Sequence, residues 1–187
     1  MIISTEKYEI RKGAYSDVFI DKAEMKAYKL FKSYNHPDLS GTGKEQIGIA
    51  KTNQYRQKVF ETERDAYVKI QDSFLLKQFT PKFYGQTSIK KVVTNNIDVS
   101  SNYLLDCCYT IEFIVGKDNK LNEIRSNENI LKDLENSLSF KLDDIIQEFV
   151  NKGVNYTIDS SAIWNERTFK IIDFAMIDSY HFQPIIE

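Results

Sequence analysis

The sequence predicts an α+β protein with strands gathered early and helices late. Three observations carry that expectation. Apolar and polar residues alternate through residues 6–31, apolar residues take helical spacing through 52–71, and a second helix-patterned stretch from 120 to 152 closes on Gly153.

The early alternation falls into three strands: Tyr8-Glu9-Ile10-Arg11, Asp17-Val18-Phe19-Ile20 and Met25 to Phe31. Lys12-Gly13-Ala14 and Asp21-Lys22 supply turns between them, so an antiparallel meander is expected. Residues 33–48 are polar and glycine-bearing and read as a loop. The long helix of 52–71 offers Val59, Ala66, Val68 and Ile70 as its apolar positions, and Pro81 bars any continuation. Phe83-Tyr84-Gly85 starts a further strand. The polar insert Thr94-Asn95-Asn96 leads to an apolar strand from Tyr103 to Val115, and Gly116-Lys117-Asp118 reads as a turn. Two helices are expected over 120–137 and 139–152, the second with Leu142, Ile145, Ile146 and Phe149 on one face. Two short strands follow, around Ile163-Trp164 and Phe169 to Ile172. There is no internal repeat and no low-complexity linker.

Length and composition narrow the function classes. A chain of 187 residues suits one domain with two lobes, and 42% hydrophobic residues can form a core. A net charge of −2 supplies no basic field for nucleic acid or an anionic membrane, so neither is expected as a partner. No apolar stretch reaches membrane-spanning length, and Met1 to Lys7 lack the features of a signal peptide. A cytosolic protein is expected, or one secreted by a signal-independent route. Cys107 and Cys108 are adjacent and read as two reduced thiols in a half-buried strand. His36 and His181 are the only histidines, and neither has metal-ligand company along the chain. Ser40-Gly41-Thr42-Gly43-Lys44 has a phosphate-loop flavour, but Asp38 and Glu45 stand where that motif needs Gly and Ser or Thr. Asn155-Tyr156-Thr157 matches a glycosylation sequon, which has no use in a cytosolic chain, and Trp164 reads as core.

Five partial motifs occur in order and together resemble the protein kinase family across about residues 5–178. Arg11-Lys12-Gly13-Ala14-Tyr15-Ser16-Asp17-Val18 resembles the loop that covers nucleotide phosphates. Gly13 is its middle glycine, while Arg11 and Ser16 replace the outer two. Ala27-Tyr28-Lys29 resembles the third-strand lysine motif. Its helix partner would be Glu63, with Glu61 as the alternative register. Thr80 to Gly85 resembles the entry to the fourth strand. Tyr109 to Gly116 resembles the fifth strand and hinge, where Ile111 would be the gatekeeper and the backbone of Glu112 and Ile114 would meet adenine. Finally, Asn151 to Trp164 followed by Lys170-Ile171-Ile172-Asp173-Phe174-Ala175 resembles the run from catalytic loop to Asp-Phe-Gly.

The resemblance implies a five-stranded antiparallel N-lobe sheet with one long helix over 1–115, and a shortened, mainly helical C-lobe over 116–187. It implies that Lys29, Glu63 and Asp173 meet in a cleft, with Asp173 holding magnesium. Gly13, Lys29, Ile111, Glu112 and Ile114 would face ATP. It also locates the losses. Thr157 stands in place of the catalytic base, with Asp159 two residues on as a substitute, and Ala162 replaces the asparagine that holds a second metal. Only Met176 to Glu187 follow Asp173-Phe174-Ala175, so the substrate-holding segment is missing, as in small bacterial effector kinases. Two readings follow. One is a pseudokinase-type binding or regulatory protein, immunity- or effector-like, whose partner is another protein. The other is a minimal ATP-dependent phosphotransferase with an unusual base. ATP and magnesium are the cofactors at issue, with weak binding and little transfer expected.

Overall fold

Strand alternation in the first third of the chain becomes one side of a five-stranded sheet. The structure, a computed structural model, describes residues 1–39, 53–155, 160–165 and 168–176. It divides into two compact units, Met1–Arg64 with Tyr84–Phe113, and Asp65–Phe83 with Ile114–Tyr180. Residues 65–83, expected in the first lobe, cluster with the later part of the chain.

The first unit is built on a sheet in the order β2 (Glu9–Lys12), β3 (Ser16–Asp21), β4 (Lys26–Lys32), β8 (Tyr103–Glu112), β5 (Phe83–Gln86). The β3–β4 turn is held by Asp21, whose Oδ1 accepts from the N–H groups of Ala23 and Glu24, with Met25 in the left-handed region at φ 50°. Successive side chains of β4 point to opposite faces. Leu30 joins Phe19, Cys108, Ile3, Val92 and Ile89 in one apolar cluster, while Phe31 packs on the other face against Phe60, at 5.4 Å between ring centroids. Phe60 lies in α1 (Asn53–Gln71), so the first part of this helix covers one face. Burying each large apolar side chain of this kind contributes about 1.5–3 kcal/mol. Val68, expected on the buried stripe of α1, is 48% exposed; Ala66 and Ile70 are buried as expected, joined by Phe60 and Tyr67.

The opposite face carries a small sheet that the sequence did not predict. β1 (Ile2–Ser4) runs parallel to β6 (Lys91–Thr94), which pairs antiparallel with β7 (Ile97–Asp98). The Thr94-Asn95-Asn96 insert is its hairpin turn. Asn95 and Asn96 both have positive φ, 50° and 64°, the conformation a two-residue hairpin loop requires and asparagine tolerates. Ile3 and Val92 then close over the Phe19–Leu30 cluster.

In the second unit, β11 (Ser161–Asn165) lies between β9 (Lys117–Lys120) and β12 (Thr168–Ile172), both antiparallel to it. The Gly116-Lys117-Asp118 turn is therefore the entry to a strand. Gly116 is required there because a Cβ would stand 2.6 Å from Ile163 Cγ2. The helix expected over 120–137 is two helices, α2 (Leu121–Ser126) and α3 (Glu128–Leu138). Asn127 breaks them, leaving helical φ/ψ and using its side chain to accept from the Ile130 N–H. α4 (Leu142–Asn151) buries Leu142, Ile145, Ile146 and Phe149 as its spacing predicts, and Gly153 ends it at φ 68°. A last pairing joins β10 (Val154–Asn155) to β13 (Ala175–Met176). Among the described residues no helix is long and apolar enough to cross a membrane.

The open end of the first unit's apolar cluster is sealed by a buried polar network. Lys32 is 2% exposed, and its ammonium lies 3.0 Å from Asp17 Oδ1, 3.6 Å from Asp38 Oδ2 and 2.8 Å from the Gly13 carbonyl. Tyr103 donates its hydroxyl to Asp17 at 2.8 Å, and Lys12 pairs with Asp38 at 2.9 Å. This ties the β2–β3 hairpin tip to β4 and to the 3-10 turn Pro37–Leu39, part of the stretch expected to be loop. Burial opposes ionisation of Asp17, but hydrogen bonds from His36, Lys32 and Tyr103 outweigh it and hold the pKa below the usual carboxylate value.

Two outcomes follow. Lys32→Met leaves Asp17 buried without its cation and should lower stability by about 3–5 kcal/mol, against about 1 kcal/mol or less for Lys12→Ala at the exposed end. Because the folded pKa of Asp17 is depressed, its contribution is present at neutral pH and is lost as pH falls below about 4. Urea unfolding across pH 3–7 should show a steeper acid loss in the unsubstituted protein than in Asp17→Asn.

Candidate functional site

The alternation that sends Leu30 to one face sends Lys29 to the other, toward α1. Helical spacing brings Arg56, Phe60 and Glu63 onto the side of α1 that meets this sheet face. Lys29 Nζ lies 2.7 Å from Glu63 Oε2, with the two side chains 13% and 14% exposed. The alternative register is excluded: Glu61 accepts from Gln57 at 3.2 Å and pairs with Lys58 at 3.6 Å along the helix surface.

Tyr109 completes the pair and was missed in the sequence reading. It is 1% exposed, sits directly across from Lys29 in the β4–β8 register, and donates its hydroxyl to Glu63 Oε2 at 2.8 Å. The Lys29 ammonium stands 6.0 Å from the Tyr109 ring and 5.9 Å from the Phe31 ring. An ammonium, a carboxylate and a phenol in this arrangement can pass the ammonium from the carboxylate to an incoming oxyanion while the phenol keeps the carboxylate hydrogen-bonded. Only strand register reveals the role of Tyr109, because 80 residues separate it from Lys29.

Beside this pair lies a group of apolar side chains on the same sheet. Ile20, Ala27 and Phe113 are buried together with half-buried Val18 and Ile111, and Ile111 is the cross-strand partner of Ala27. Glu112 pairs with Lys26 in the sheet, whereas Ile114 belongs to the second unit. The Phe113 N–H is engaged by the Met25 carbonyl at 2.9 Å. Gly13 sits at the hairpin tip, with its N–H donating to the Ser16 carbonyl at 2.8 Å and its carbonyl held by Lys32. Arg11 pairs with Glu9 at 3.4 Å and stands over the Phe113 ring at 5.8 Å.

Asp173 lies in the second unit, between β12 and β13. Its φ of 63° is in the left-handed region, a strained conformation costing about 1–2 kcal/mol for a side chain with a Cβ. Its carbonyl accepts from Ser160 Oγ at 2.8 Å, and the adjacent Phe174 anchors the segment between Phe149 at 5.0 Å and Tyr67 at 5.3 Å. Ala162 is 0% exposed at the centre of the β9–β11–β12 sheet, opposite Asn119 and Ile171. Thr157 and Asp159 lie outside the described residues.

Contrary to the sequence reading, His36 does have potential metal ligands nearby. Ligand atoms of Asp17, His36 and Asp38 lie within 4.8 Å of one another. The protein's own groups fill the space: Lys32 supplies the cation, and His36 Nδ1 accepts from the Asp38 N–H at 3.2 Å. The proton is thereby left on Nε2, which faces Asp17 Oδ2 at 3.3 Å. Both cysteines are free, as expected, and are buried within the partly buried strand β8; burial raises both thiols, Cys107 to about 11, so neither is poised as a nucleophile.

No protein-family model matches the chain, and no curated protein or solved structure matches it.

A double-mutant cycle with Lys29→Met and Glu63→Gln tests the pair. Each single substitution should destabilise by about 2–4 kcal/mol, and the double by less than the sum, with a coupling of about 1–3 kcal/mol. Coupling below about 0.5 kcal/mol by urea denaturation would show that the pair contributes nothing to folding.

Proposed function

We propose that this chain is a pseudokinase-type protein, with a kinase-like scaffold, that acts by binding another protein. Support for the scaffold comes from the first unit. The five segments that the resemblance assigns to the N-lobe pair into one sheet, a long helix packs on it, and the lysine and glutamate assigned to each other are in contact at 2.7 Å. The observation that carries the loss of catalysis is Ala162. The resemblance expects a metal-holding asparagine there, and the position is a methyl group fully enclosed within a sheet.

The magnitudes favour binding over turnover. Kinases turn over at roughly 1–100 per second. A positioned base contributes about 10²–10⁴-fold, and Thr157 cannot accept a proton near neutral pH. Loss of a metal clamp removes a further electrostatic contribution.

A second reading has a specific observation in its favour. The Lys29–Glu63 pair is intact, and Asp173 holds a strained backbone of the kind that collects at functional sites. Together these favour retained nucleotide handling, with Asp159 as substitute base.

The two readings separate in one assay. With ATP, magnesium and a generic protein substrate, the proposed function gives no turnover above the protein-free control, since a lost base alone brings roughly 1–100 per second down to about 10⁻⁴–1 per second and a lost metal clamp lowers it further. Turnover near one per second, abolished in Asp173→Ala, would establish the phosphotransferase instead. Calorimetric titration with ATP and magnesium should show weak or absent binding.

A further inference from the structure

Three charged side chains are buried among the described residues: Asp17, Lys32 and Arg56. Asp17 and Lys32 neutralise each other. Arg56 is 3% exposed, and among the described residues no carboxylate pairs with it. Its Nη1 makes one long hydrogen bond, 3.5 Å to the Lys32 carbonyl, and its Nε is buried with no hydrogen-bond partner. The remaining contact is with the Tyr15 ring, whose centroid is 5.5 Å from the guanidinium carbon. A cation–π contact of this kind offsets only part of the several kcal/mol that an uncompensated buried charge costs.

The surroundings reinforce the deficit of negative charge. Arg56 lies in the first turn of the 19-residue helix α1, and that turn contains no acidic side chain. The positive end of the helix and the guanidinium therefore act with the same sign. Tyr15 is half-buried at the β2–β3 hairpin tip and also meets Tyr55, at 6.1 Å between centroids. Ligand entry requires the Tyr15 ring to leave the guanidinium, while the Tyr15 backbone is held by its carbonyl, which accepts from the Lys32 N–H at 2.9 Å. The planar fork of N–H groups fits a tetrahedral oxyanion through two parallel hydrogen bonds.

We propose that Arg56, the first turn of α1 and the hairpin tip bearing Tyr15 form an oxyanion site that receives the phosphoryl group of a small phosphorylated ligand. The site is separate from the Lys29–Glu63 pair, with Phe31 and Phe60 between them along the helix–sheet interface, and does not depend on the kinase-like reading.

The test is a titration with inorganic phosphate at constant ionic strength, followed through arginine Nε–Hε signals in protein labelled with nitrogen-15. Arg56→Lys assigns the Arg56 signal. The expected result is a saturable shift of that signal in the unsubstituted protein, accompanied by a rise in melting temperature. Arg56→Gln should bind phosphate about tenfold more weakly or worse, while Lys58→Ala, on the exposed surface of the same helix, should retain binding. ATP in place of phosphate separates the sources: the same Arg56 shift at lower concentration identifies a nucleotide as ligand, and an equal or weaker response identifies free phosphate or another phosphorylated compound. Any of four results overturns the proposal. These are an Arg56 signal that does not move saturably, Arg56→Gln binding as well as the unsubstituted protein, Lys58→Ala abolishing the response, or succinate reproducing it.

Discussion

An ammonium taken out of water must be surrounded by oxygen, and in the first unit that requirement falls on Lys32. Its partners come from three places in the chain: the Gly13 carbonyl at the hairpin tip, Asp17 on β3 and Asp38 beyond β4. Its own carbonyl receives Arg56 from α1. One buried charge thus fixes the hairpin, the 3-10 turn and the start of the long helix relative to the central strand. Replacing such a cluster by apolar side chains would be compatible with stability, but removing one member is not. The network consequently acts as a constraint on geometry more than as a source of net free energy.

From that anchor, the two faces of β4 divide the labour. One face completes the apolar cluster beneath the small three-stranded sheet, and the other presents Lys29 to Glu63 and Phe31 to Phe60. A slip of one residue along β4 would exchange the faces, burying Lys29 among apolar side chains and setting Leu30 against Glu63. The β4–β8 register shifts between Leu30, opposite Cys108, and Lys32, opposite Tyr103, so apolar packing at Leu30 and a polar cage at Lys32 lie two residues apart. Tyr109, Glu63 and Lys29 owe their contact to this register.

The candidate chemistry of the two units differs in kind. The first holds charged groups at close range with phenol and aromatic support, suited to gripping an anion. The second places Asp173 on strained backbone beside a well-buried Phe174, and seals Ala162 inside a sheet. That contrast is what the proposed function rests on.

Patterns with short range were legible in the sequence. The three-strand alternation, the apolar face of α4 and the stop at Gly153 follow from periods of 2 or 3.6 residues and from turn chemistry, whereas the pairing of Lys29 with Glu63 was implied only by the family resemblance. Others needed the folded chain. The break at Asn127 is a capping bond that competes with helix continuation, and local propensity does not resolve that competition. β1 and β7 are too short to carry a periodic signal, and β1 pairs with a strand 87 or more residues away. The contact of Tyr109 with Glu63 depends on cross-strand register, and the His36–Asp17–Asp38 cluster and the surroundings of Arg56 depend on how segments distant in the chain meet. The sequence by itself determined which segments could be strand or helix, because that choice is made by neighbours along the chain. Tertiary structure decided which charges meet, because burial and pairing are set by residues that chain distance cannot rank.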